Sequence, residues 1–145
     1  MKNLNDVSAY AKIISAYSLY EVKGAKIMEY KWKFKTYGDS IILMLFDEVE
    51  EVEGDRATLT EWLDSDVQGS EYTLKILKKV LSGECKEDEF GGNAFEVHVE
   101  KDFTKISSAF GEQVPNVKPC TVPTELLYEI VKVWLSERKK FYANR

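Results

Sequence analysis

His98 is the one histidine in 145 residues, so any imidazole chemistry in this chain has to pass through it. Placed between Glu96 and Glu100, it could serve as a general acid or base whose pKa is raised by the flanking carboxylates. It also lies on the polar side of an alternating segment, where a solvated, outward-facing ring is the ordinary outcome. Nucleophilic catalysis needs a base held beside a serine or cysteine, and no motif in the sequence brings His98 to one. Cys85 and Cys120 are the only cysteines. They have no CxxC spacing and, with a single histidine, make a poor zinc set. No catalytic residue, no metal and no cofactor is expected on these grounds.

The carboxylates fail similar tests. Asp64-x-Asp66 resembles the opening of a calcium loop, and Gly69 stands at the required sixth position. Gln68 is a poor fifth-position ligand, however, and Lys75 stands at the twelfth, where a bidentate Glu is needed. Glu89-Phe90-Gly91-Gly92-Asn93 precedes a strand, whereas a phosphate-cradling loop opens a helix with GxGxxG or Gly-Lys-Ser/Thr spacing. It reads as a flexible connection. Lys31, Lys33 and Lys35 alternate with aromatics, which must then face the other way and cannot stack bases beside them. A solvated strand face, with lysines discouraging edge pairing, fits better.

What does stand out is the placement of charge. Residues 47–89 hold 14 acids and five bases, a local net charge of −9, while the rest of the chain carries +4 and the whole −5. That balance opposes direct nucleic-acid binding, which needs a clustered positive footprint. It favours a basic protein partner. Asp47, Glu48, Glu50, Glu51, Glu53, Asp55, Glu61, Asp64 and Asp66 are the candidate contacts, with Trp62 and Tyr72 as aromatic anchors among them.

The elements that must position these residues follow from periodicity. Residues 26–35 alternate Met28, Tyr30, Trp32 and Phe34 with charges, a period-2 strand. A turn at 37–40 leads to the apolar run 41–46, expected to be a strand buried on both faces and more central in the sheet. A short helix is expected over 57–63, loops over 64–66 and 68–69, and a helix over 70–82 with Ser70 as N-cap and Gly83 just past its end. Its apolar stripe is Tyr72, Ile76, Leu77, Val80 and Leu81. Residues 84–93 read as a charged loop, 94–100 as a strand with Phe95, Val97 and Val99 inward, and 103–110 as its hairpin partner. After a loop over 112–120, a helix begins at Thr121-Val122-Pro123 and runs to about Tyr142. Residues 5–20 fit either a short helix or a first strand, and Gly24 breaks the chain there.

Length and pattern together predict a single α+β domain over residues 1–145, an antiparallel sheet of about four to six strands packed against two or three helices. The longest apolar run is six residues, against roughly 20 for a membrane helix. The opening MKNLNDVSAYAKII lacks an apolar h-region with a cleavage site. Two unpaired thiols then fit a reducing, cytoplasmic location.

In overall build the chain resembles the small immunity proteins of bacterial polymorphic-toxin systems. The residues concerned are the acidic run Asp47-Glu48-Val49-Glu50-Glu51-Val52-Glu53, Gly92-Asn93 entering Phe95-Glu96-Val97, and the helix from Val122-Pro123-Thr124-Glu125-Leu126-Leu127 to Trp134. The resemblance implies non-catalytic neutralisation of a cognate toxin, often a basic nuclease domain, by covering or mimicking its substrate site. The alternatives are a small enzyme using His98 with Glu96 or Glu100, and a structural subunit that forms a homodimer.

Overall fold

The computed structural model describes residues 31–111 and 116–143. The expectations for residues 5–20, for Gly24 and for Met28 and Tyr30 lie outside them. Over the described residues the chain folds as a single α+β domain in which every strand pairing is antiparallel. Strands β1 (Lys33–Tyr37) and β2 (Ile41–Leu45) form a two-stranded hairpin. A second sheet takes the order β3-β7-β6-β5-β4, with β3 Glu53–Gly54, β4 Glu87–Gly91, β5 Phe95–Glu100, β6 Phe103–Ser108 and β7 Cys120–Pro123. The helices are α1 (Arg56–Trp62), α2 (Tyr72–Leu81) and α3 (Thr124–Ala143). None is long and apolar enough to cross a membrane.

One face of the five-stranded sheet builds the core. Phe95, Val97 and Val99 alternate inward from β5, joined by Ile106 from β6 and Val122 from β7. The period-2 pattern thus selects the face. α3 brings Leu127, Ile130, Val131, Val133 and Trp134 against it, all without solvent exposure. The β1–β2 hairpin contributes Phe34, Ile42 and Met44 to the same core. Buried hydroxyls stitch the layers together. Thr60 on α1 donates to the Met44 carbonyl at 2.7 Å, and Thr104 and Thr124 share a bond of 2.9 Å between β6 and α3.

Several expectations are corrected. The run 41–46 is not buried on both faces, because only Ile42, Met44 and Phe46 are enclosed while Ile41 is 43% exposed. Leu43 and Leu45 are half-buried and line a groove beside α1. Among the described residues the hairpin is a sheet of its own, so within them β2 is not a central strand. Residues 84–93 are not simply a loop, because Glu87–Gly91 is the edge strand β4. Its inward positions are Asp88 and Phe90, so the alternation carries no run of apolar residues to announce it. Residues 63–67, expected in part as loop, continue α1 as a π-helical turn. Pro123 ends β7, and α3 starts one residue later.

The N-cap expected at Ser70 falls one residue later, at Glu71, while the Ser70 hydroxyl accepts the Tyr72 N–H at 3.1 Å just ahead of α2. Gly83 follows α2 at φ +85°, the left-handed conformation a helix terminator needs. Both cysteines are free, and Cys120 is buried.

Candidate functional site

Two surface features collect the polar groups. The first is a groove of about 620 Å³ between β2, α1 and the ends of β5 and β6. Leu43, Leu45, Phe95 and Val117 supply apolar lining, and Asp47, Glu61 and Asp64 stand on its walls with exposed side chains. Local structure explains the placement. Asp47 lies two residues past the end of β2, while Glu61 and Asp64 are three residues apart on the continuous helical path of α1 and its π turn, and so share a face. Arg56 is the one base among the described residues of the lining. Its Nη2 donates to the Val49 carbonyl at 3.0 Å, and its buried Nε has no hydrogen-bond partner among the described residues.

The remaining candidates from the sequence divide. Glu48 is exposed and pairs with Lys33 at 3.5 Å. Glu50, Glu51 and Glu53 are exposed on the β2–β3 connection and β3 but do not line the groove. Asp55 is the N-cap of α1, accepting the Ala57 N–H at 3.0 Å. Asp66 works inside the fold. Its carboxylate accepts the Ala94 N–H at 3.1 Å, the Phe95 N–H at 2.9 Å and the Ser65 hydroxyl at 2.9 Å. Gly92 makes this approach feasible, because a Cβ there would lie 2.5 Å from Asp66 Oδ2. Residues 92–95 are therefore tied to the π turn, and the Gly-containing segment is not a free connection.

Trp62 is corrected outright. It is 1% exposed in the core and cannot anchor a partner. Helical periodicity places Leu59, Trp62 and Leu63 on one side of α1, and that side faces inward. Tyr72 is exposed, not part of the buried stripe of α2. It sits edge-on to Phe90 at a ring separation of 5.7 Å, away from the groove.

The second feature lies on the outward face of the five-stranded sheet. Register pairs Glu87 with Glu100 and Glu89 with His98 across β4 and β5, while Lys105 of β6 stands opposite His98 on its other side. His98 Nδ1 lies 2.7 Å from Glu89, and Nε2 lies 3.1 Å from both Glu87 and Glu100. The hydrogen bond to Glu89, then that to Glu100, raise the pKa of His98 above the usual histidine value, with further help from the charges of Glu89 and Glu87. His98 therefore does not project alone into solvent. Glu96, named with it from the sequence, lines a depression of about 550 Å³ together with His98, Glu89, Lys105 and Ser107; the groups that raise the His98 pKa are Glu89, Glu100 and Glu87. Glu87 and Glu89 were missed because they sit in the segment expected as loop. Only cross-strand register brings them to His98.

No family model, no curated protein and no solved structure matches this chain.

Proposed function

We propose that the protein is a non-catalytic binding protein that receives a basic protein partner in the groove between β2 and α1. Within that reading, the resemblance in build makes it an immunity protein that neutralises a cationic toxin domain. One observation carries the proposal: an apolar floor bounded by Asp47, Glu61 and Asp64. Apolar contact gives a desolvated centre, and a carboxylate rim gives steering and register to a partner rich in Lys and Arg. Asp47, Glu61 and Asp64, with Glu48 nearby in sequence, form the working subset of the original candidates. Arg56, also on the lining, adds a positive group that could meet an acceptor on the partner.

The enzyme reading has one observation in its favour, the convergence of carboxylates on His98. Both ring nitrogens are engaged by carboxylates rather than by a serine or cysteine nucleophile, and the non-catalytic reading is preferred.

The test compares the parent protein with a D47N/E61Q/D64N variant in low-salt capture from a native extract, followed by association kinetics on any basic protein retained. The parent should bind quickly, more slowly as salt rises, and the triple variant should lose most of the low-salt rate advantage. An association rate equal in parent and variant at low salt refutes the proposal.

A further inference from the structure

We propose that Glu87, His98 and Glu100 form a binding site for one divalent transition-metal ion of the zinc class, with Glu89 orienting the imidazole. The site shares no residue with the groove and does not depend on the function proposed for it. Its placement is fixed by the backbone. Antiparallel pairing sets Glu87 opposite Glu100 and Glu89 opposite His98. His98 and Glu100 are two residues apart on β5, so all four side chains rise from one face of the sheet.

The geometry around the ring gives its two nitrogens different tasks. Nδ1 is 2.7 Å from Glu89 Oε2, the carboxylate–histidine contact that fixes the tautomer of a metal-binding imidazole. Nε2 then faces Glu87 Oε1 and Glu100 Oε2, each at 3.1 Å. A single N–H can be directed at only one of these two oxygens, whereas a cation satisfies both oxygens and the ring nitrogen together. One donor atom from each of the three residues lies within 4.8 Å of the others. With metal–ligand bonds of about 2.0–2.1 Å, donors 3.1 Å apart subtend roughly 95–100° at the ion, between octahedral and tetrahedral values.

The donor set selects the class. Calcium and magnesium take oxygen ligands, and magnesium keeps most of its water. One imidazole with two carboxylates suits zinc, cobalt, nickel or copper. Glu87 and Glu100 are more than half exposed and His98 is about one-third exposed. The ion would therefore keep positions open to water or to a side chain of a partner, as sites with three protein ligands do. Lys105, opposite His98 on β6, is the base set against the three carboxylates in this register.

His98 is the only histidine in the chain, so its ring C–H signals in a proton NMR spectrum report on the site alone. Zinc chloride is added to the full-length protein carrying Cys85→Ser, which removes the partly exposed thiol as a competing ligand. The ring signals should move and saturate at one ion per chain, while calcium or magnesium chloride leaves them in place. Glu87→Gln and Glu100→Gln should each weaken zinc binding roughly tenfold or more, and Glu89→Ala by about 10–100-fold. Ring signals unmoved by excess zinc overturn the proposal, whatever the variants do. So does an equal response to calcium, or Gln variants that bind as tightly as the parent.

Discussion

The contact between Asp66 and Gly92 gives the sharpest test of how this fold is held. Asp66 accepts backbone N–H groups from both Ala94 and Phe95, the entry to β5, an interior strand of the sheet. Hydrogen bonds to a charged acceptor contribute about 1.5–3 kcal/mol each, and the donors left behind are partly buried. Asp66→Ala should therefore cost about 3–4 kcal/mol. Gly92→Ala attacks the same contact from the other side. The new Cβ would meet Asp66 Oδ2 at 2.5 Å, Cγ at 2.8 Å and Cβ at 3.0 Å, so the carboxylate has to leave its two donors. The expected cost is about 2–3 kcal/mol. In the double variant the carboxylate is already gone, and only the 3.0 Å contact to Cβ remains, relieved by a small shift. The double variant should be about as stable as Asp66→Ala alone, with a coupling energy of roughly 2 kcal/mol. Urea unfolding followed by tryptophan fluorescence measures this well, because Trp32, Trp62 and Trp134 are all at most 1% exposed. Additive effects, with the double variant worse than Asp66→Ala by the full cost of Gly92→Ala, would refute the reasoning.

Three further outcomes are expected. Only one thiol of the native protein should react with a disulfide reagent, because Cys120 is 1% exposed and burial pushes its thiol pKa up to about 12, with a smaller contribution from Asp55. Both thiols should react after unfolding, and quantitative labelling checks this. Gly54→Ala should destabilise by about 2–3 kcal/mol in the same urea assay, since φ is +90° and its Cβ would meet the Pro119 carbonyl oxygen. Gln68 adopts φ 50° and ψ −123° while its carbonyl accepts the Trp134 indole N–H at 2.8 Å. Gln68→Gly should raise stability by about 0.5–1 kcal/mol in thermal unfolding by relieving that strain, less whatever is lost with the side-chain bond to Ser65.

The parts of the fold legible in the sequence are those where periodicity and local chemistry act together. The alternation of Phe95, Val97 and Val99 identified β5 and its inward face. The spacing of Leu126, Leu127, Ile130, Val131 and Trp134 identified α3, and Gly83 marked the end of α2. The edge strand β4 was invisible because an edge needs few apolar residues, and its pairing supplies what its composition lacks. Trp62 was misread because proximity to acids in sequence says nothing about which side of a helix the indole takes. Its neighbours Leu59 and Leu63 carried the answer.

The sequence by itself determined the α+β class, the strand–turn–strand signals and the asymmetry of charge, because these follow from side-chain period and composition. Only the tertiary structure decided how the acidic stretch is divided. Asp55 and Asp66 are used as internal acceptors, Asp47, Glu61 and Asp64 are gathered at one groove, and Glu87 and Glu89 are carried to His98 by strand register. The physical reason is the same throughout. A carboxylate's task depends on which backbone donors, apolar surfaces or other charges lie within a few ångströms of it, and those neighbours can lie far along the chain, 29 residues away for Phe95 and Asp66.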